Sequence, residues 1–448
     1  MKKTAVRLVQ VFVALLVVLL LVHTALLVLS GVTLRNAYRD LQQAGRPMTG
    51  AEIIPAEVPA GENAAPLYTS AFALLDAETI GEEKLFQCLA QAARDFSADP
   101  ESGKKQSAFE QLLAREDVAR ALAMIEQAAA RPKCNFNLQY DQGAALLVPH
   151  VQGMLKMGRI LAARAQLEAR RQENERAWNS IETNLRMADA LREEPILISA
   201  LVRVAIAKTA LASIRQVADQ APPSDGTAAR LMARLAAVDD PAPYMLAMDG
   251  ERLFMGEWIF NLVQTPKMSD FWEEGDGPKW KLRAHDLLIG YRPARQADRA
   301  AYMRTMGEFA AQAARPWWEA PMVSDEEWEQ TIPWYGMVSR LILPALGKSR
   351  IKMTELLAEA RVIRIGLALI RCKAARGRYP AALAELVPEF LDGTPEDPFT
   401  GKLLVYRPEG DGFVLYSLGP NQQDEGGMAE SPDNRDTKAF DIAWRRAQ

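Results

Sequence analysis

Cysteine and histidine are scarce, with three of each in 448 residues. Three cysteines exclude a disulfide-dense scaffold and a multi-cysteine zinc or iron–sulfur site. His23, His150 and His285 leave little for a histidine-built metal centre or a histidine-dependent triad. Basic charge is also short. The formal net charge is −4, and a phosphate backbone calls for a basic surface, so nucleic acid is not an expected partner. Catalytic signatures are missing too: there is no G-x-S-x-G elbow, H-E-x-x-H, Walker loop, G-x-G-x-x-G after a strand, or C-x-x-C. Ser199, Ser339 and Ser349 lack a local base signature, and Lys208 and Lys352, the partners for a serine–lysine dyad, read first as helix-surface residues. The adjacent acids Glu193-Glu194 and Glu273-Glu274 read first as solvated, with a glycosidase-like pair as the sharper alternative.

Against this background one feature dominates. Val9 to Val32 contains no charged residue and centres on VFVALLVVLLLV. At 1.5 Å per residue it spans about 36 Å, enough for a hydrocarbon core of about 30 Å. Residues 1–40 carry five Lys or Arg against one Asp, and the remainder holds 48 against 56, so the small net charge hides a basic N-terminus and an acidic body. Lys2, Lys3 and Arg7 precede the span, which favours a cytoplasmic N-terminus, a single-pass bacterial inner-membrane anchor and export of the bulk to the periplasmic side. A cleaved signal peptide is the rival, but the apolar stretch exceeds an ordinary signal core and no A-x-A site follows. In an oxidising compartment Cys88 and Cys134 could pair; three free thiols are the other reading.

The expected organisation is a cytoplasmic stub at 1–8, the anchor at 9–32, a spacer at 33–66, a helical domain at 67–350 and a small α+β module at 351–448. Helix periodicity marks Leu67 to Leu75, Glu83 to Arg94, Ser107 to Ala130 and, most clearly, segments near 148–171, 173–193 and 196–218, with Pro195 breaking the last two apart. The fold class is mainly α, as a bundle or an array of helical hairpins. The segment EARRQENERAWNSIETNLRMADAL resembles a tetratricopeptide-type hairpin, with Ala165 and Ala188 letting helices approach, although no 34-residue self-similarity accompanies it. Residues 264–295 read as a surface excursion. Trp317, Trp318, Trp328 and Trp334 with Tyr335 read as wedges between helices, a membrane belt or stacking groove being the alternative.

The C-terminal module begins with a helix from Ile351 to Cys372, capped near Gly377, followed by Tyr379-Pro380, a short helix, DPFTGK at 397–402 and two strands, 403–407 and 413–419, joined by PEGDG. An acidic, glycine-rich loop and DIAW at 441–444 complete it. This order (helix, G-x-YP, DP-F-x-G, a hairpin ending in YSLGPN, DIAW) resembles the globular head of the major pseudopilin of bacterial type II secretion, over about a fifth of the chain. Together with ENAAPLY and EEPILISALVRVAI it also resembles large uncharacterised exported bacterial proteins. The pseudopilin resemblance implies a structural Ca²⁺ in the acidic loop, held by the LYSLG end at Leu418, by Asn421 and by Asp441. The residues add a physical case, since calcium takes six to eight oxygen donors and Asn421, Asp424, Asp433, Asn434, Asp436 and Asp441 can supply them, in no EF-hand register. Two departures separate the chain from a pilin: Gly31-Val32-Thr33-Leu34 follows the apolar span instead of preceding it, and about 300 residues intervene between span and head. No reaction is identifiable. The expected role is interaction or envelope scaffolding through protein partners, with association with type II secretion or pilus-like machinery, or a carboxylate-based envelope hydrolase, as alternatives.

Overall fold

The computed structural model describes residues 2–262, 290–320, 332–333, 336–340, 343, 349–428 and 441–446. Trp328, Trp334, Tyr335, Glu273, Glu274 and His285 lie outside them.

The first helix, α1, runs from Lys2 to Gln43, well past the end of the uncharged run. Its stretch from Val6 has a mean hydropathy of 3.0 and a window with none of its residues buried, so it is long and apolar enough to cross a membrane. The second half is different. His23, Leu27, Ser30, Leu34, Ala37 and Leu41 recur every three or four residues and lie on the covered side. Their cover is α12, Arg292–Ala313. Polar groups fix the alignment: Tyr291 OH meets His23 Nδ1 at 2.9 Å and Ser30 Oγ donates to Gln296 Oε1 at 3.0 Å. Further along, Arg299 Nε donates to Tyr38 OH at 3.0 Å, and both side chains bond Glu257. Burial and the Glu257 carboxylate push the Tyr38 hydroxyl up to about 12, so it remains a donor.

Of the spacer expected at 33–66, residues 33–43 belong to α1 and 65–66 to α2, and the chain between them lies along the body. Arg252 donates to Pro47 O, Asn135 Nδ2 to Ala56 O at 3.0 Å and Arg131 Nη1 to Ala60 O at 2.8 Å. A segment whose regular structure is limited to the 3-10 turn Gly50–Glu52 must find donors for its other carbonyls, and here the body provides several of them.

The body is helical. It comprises α2 (Ala65–Ala77), α3 (Leu85–Ala98), α4 (Gly103–Leu113), α5 (Glu116–Ala130), α6 (Pro149–Arg170), α7 (Asn174–Asp189), α8 (Leu197–Gln220), α9 (Asp225–Val238), α10 (Ala242–Gly250) and α11 (Glu257–Leu262). A two-residue hairpin, β1 (Thr79–Ile80) with β2 (Glu83–Lys84), sits between α2 and α3. The single helix expected from Ser107 to Ala130 breaks at Arg115, whose extended backbone starts α5. The acids Glu116 and Asp117 account for the new start, because they favour a helix N-terminus and Asp117 Oδ1 accepts from Val118 N at 2.8 Å. Helix α9 has a side-chain cap, Ser224, which accepts from Thr227 N at 3.2 Å.

Helices α6, α7 and α8 pack on one another at the centre. Asn184 Nδ2 of α7 reaches the Gly158 carbonyl of α6 at 2.9 Å, a close approach in which a Cβ on residue 158 would meet Ile206 and Asn184 at 3.2 Å. Helix α8 is also apolar and long enough to pass for a span, but two-thirds of its window is buried, which makes it a core helix.

The C-terminal module packs against this body. Its helix α13, Ser349–Arg376, contacts α8 and α9 on one side and the sheet on the other. The sheet is antiparallel with order β3-β4-β5, where β3 is Val405–Glu409, β4 Gly412–Ser417 and β5 Ile442–Arg446. Gly410, at φ +58°, supplies the left-handed residue of the hairpin turn. The third strand was not read from the sequence; Leu415 pairs with Trp444 across it. Cross-links to the body include Arg361 to Asp239 at 2.8 Å, Arg371 to Asp225 at 2.6 Å and Arg215 Nη1 to Ala443 O at 2.9 Å. One continuous apolar core consequently runs from Ala37 of α1 to Trp444 of β5.

Candidate functional site

The acidic loop of the head is built by two devices. The first is Asp397 of the DPFTGK motif, only 2% exposed, whose Oδ1 accepts from Phe399 N at 2.9 Å and Ser417 Oγ at 2.8 Å while Oδ2 accepts from Leu418 N at 3.1 Å. It latches its own turn to the end of β4 and fixes where the acidic loop departs. The second is a run of left-handed residues, Gly419, Gln422, Gly426 and Gly427, with φ between 57° and 79°. These curl the loop back beneath β4, where a Cβ on Gly427 would strike Val414 at 2.8 Å.

The curl brings Asn421, Asp424 and Asp441 together with Glu425, which sequence reasoning missed. Asp424 Oδ1 accepts from Tyr416 OH at 2.9 Å and from Gly426 N at 2.8 Å. Asn421 Nδ2 donates to Glu425 Oε1 at 2.7 Å. Asp441 is 2% exposed, and its Oδ2 accepts from Gly427 N at 2.7 Å. Among the described residues, the buried oxygens Asp441 Oδ1 and Glu425 Oε2 have no hydrogen-bond partner. Burial, helped by the neighbouring Glu425 and Asp424 carboxylates, pushes Asp441 up to about 6. Two like charges with orphaned oxygens in a covered site make a cost that a proton or a cation would relieve. The donor chemistry fits a hard cation, although the described residues contain no group of three His, Cys, Asp or Glu side chains placed to hold one. Leu418 enters the arrangement through its backbone N–H on Asp397, and Asp433, Asn434 and Asp436 lie outside the described residues.

Elsewhere the structure rearranges the sequence-based candidates. Glu194, read as a solvated acid, is 3% exposed; it meets His150 Nε2 at 3.0 Å and accepts from Ser199 Oγ at 2.5 Å. The acid stands between the serine and the imidazole, so the histidine is not positioned as a base for that hydroxyl. Its partners come from α6 and α8, and no local pattern signals such a meeting. Lys208 is held by Glu355 and Glu359 at 2.9 and 3.0 Å, and Ser339 bonds Asp298, so neither forms a serine–lysine dyad. Cys88, Cys134 and Cys372 are all free, and the pairing of Cys88 with Cys134 is not made. Cys88 turns toward Glu83 beside β2, while Cys134 is buried after α5. Trp317 is a buried wedge, edge-on to Phe399 at 5.5 Å with the Arg350 guanidinium 5.0 Å from its ring.

Comparison of the chain with protein-family models, with curated proteins and with solved structures finds no match in any of the three.

Proposed function

We propose that the chain is a single-pass protein of the bacterial inner membrane whose body lies on the exported side and acts as a rigid interaction platform or scaffold in the envelope. The observation that carries this reading is the seam between α1 and α12. The apolar helix does not end in a loose tether; it continues into the body, where His23 bonds Tyr291, Ser30 bonds Gln296 and Tyr38 bonds Arg299. In the described part of α1 the unbroken uncovered stretch runs from Val6 to Val22, at 1.5 Å per residue about 25 Å, so the body would sit close to the membrane surface. Carbonate extraction and protease digestion of spheroplasts test the topology. Retention in the membrane pellet with digestion of the body from outside is the expected result; a carbonate-soluble protein, or a body protected in spheroplasts, would overturn it.

Calcium bracing of the head loop belongs to the same reading. Asp441 Oδ1 and Glu425 Oε2 would supply carboxylate oxygens, with Asn421 and Asp424 beside them. For the full-length protein in detergent, calcium at a hundred times its dissociation constant should add about 2.7 kcal/mol of stability. Asp441→Asn should lose this gain, and equal melting points in calcium and chelator would remove the site.

A second reading, association with type II secretion or pilus-like machinery, is favoured by the long helix α13 packed on a three-stranded antiparallel sheet with the acidic loop between β4 and β5. Co-purification with a secretion platform would support it, and unchanged secretion in a deletion strain would count against it.

A further inference from the structure

The geometry points to a second site on the helical body: a cavity of about 290 Å³ between α2, the turn after α5, α7 and α9 that binds the oxyanion group, phosphate or carboxylate, of a small molecule. Its walls reverse the character of the chain. Arg131, Lys133, Arg186, Arg192 and Arg234 line it against the acids Asp189 and Glu193, in a protein whose net charge is −4.

Three of these cations are already matched. Arg186 pairs with Glu182 at 2.7 Å, Arg192 with Asp240 at 2.8 Å and Arg234 with Asp189 at 3.4 Å. Arg131 is engaged differently, donating through Nη1 to the carbonyls of Ala60 and Asn63 at 2.8 and 2.5 Å. Carbonyls orient a guanidinium without cancelling its charge. Among the described residues neither Arg131 nor Lys133 forms an ion pair, so two positive charges at this cavity are left without a carboxylate in contact.

Tyr68 provides the independent observation. It is 0% exposed, yet among the described residues its hydroxyl has no hydrogen-bond partner, an arrangement that costs free energy in a closed interior. Tyr68 lines the cavity, and so do Arg186 and Asp189, whose charges act on its hydroxyl. Burial raises both this hydroxyl and the Cys134 thiol, so each stays protonated and neutral. Tyr68 OH, Arg131 and Lys133 together offer donors to a ligand that accepts. An oxyanion satisfies them, and a cation would leave them unmet. The volume lies at the small end of ligand sites, suited to a phosphate monoester or a small carboxylic acid and too small for a dinucleotide.

The test uses the full-length protein in detergent, melted in inorganic phosphate, in malonate, and in sodium chloride at matched ionic strength. A rise in melting temperature beyond chloride in either anion supports the site, and the responding arm identifies the phosphate or the carboxylate source. Lys133→Gln and Tyr68→Phe should each weaken the responding anion about tenfold, as loss of one hydrogen bond to a charged group implies. Tyr68→Phe should also melt, without anion, at or above the wild-type temperature, because the deleted hydroxyl has no partner. The inference fails if neither anion exceeds chloride, if both variants respond like wild type, or if Tyr68→Phe alone lowers the anion-free melting point.

Discussion

Trp444→Ala should destabilise the full-length protein by about 3–5 kcal/mol, the range for deleting a buried aromatic. Trp444 is 1% exposed, stands edge-on to Phe413 at a ring separation of 5.7 Å and lies directly over Gly366, where a Cβ would fall 2.1 Å from the indole. No residue other than glycine at 366 permits this contact, so the ring is seated against the bare backbone of α13. Among the described residues the indole N–H has no hydrogen-bond partner, so the cost is apolar burial and an unfilled cavity. The extent of the loss is informative as well. Helix α13 is shared between the sheet and α8 and α9, inside one core, so head and body should unfold in one transition at the lowered temperature. Helical circular dichroism and limited proteolysis across a melt would check this. A two-step melt whose helical body keeps the wild-type midpoint would show that the head folds apart from it.

Gly250→Ala should be comparably severe for a different reason. A Cβ on residue 250 would lie 1.5 Å from the Pro195 carbonyl oxygen and 2.5 Å from its carbon. Both obstacles are backbone, so no side-chain rotation relieves them. The end of α10 must move away from the turn that carries Glu194 and opens α8. The expected cost reaches or exceeds the upper end of the 1–3 kcal/mol typical of overpacking. Gly226→Ala is the control, since its nearest neighbour would be Arg230 Nη1 at 4.0 Å and its φ is ordinary, so it should be neutral or slightly stabilising. A Gly250→Ala protein melting within about 1 °C of wild type would refute the close approach.

Much of the fold was legible locally. The stripes of α6, α7 and α8, the break at Pro195, the cap at Gly377 and the hairpin around PEGDG are patterns among residues a few positions apart, and the observed elements follow them. The break at Arg115 was written in its acidic neighbours and overlooked. The candidate site was legible only in part. Asn421 bonds Glu425, an acid outside the sequence-based set, because left-handed residues curl the loop; Asp424 bonds Tyr416 and Asp441 bonds Gly427 N, and Asp397 is the latch that sets the loop's start. An acid's role depends on whether it is covered, and periodicity says nothing of that. Glu194 illustrates it: as part of EEP it looks solvated, yet His150, 44 residues earlier, closes over it.

What the sequence by itself determined is the apolar helix at the N-terminus, the mainly helical body and the small hairpin-bearing module, because hydropathy, period and caps act between near neighbours. Only the tertiary structure decided that α1 continues into the body against α12, that the head shares one core with it through α13, and that Tyr68, Arg131 and Lys133 converge on one cavity. Those outcomes rest on contacts between residues far apart in the chain, such as His23 and Tyr291, 268 positions apart. Their strength comes from exclusion of water, which belongs to the packed whole and to no segment of it.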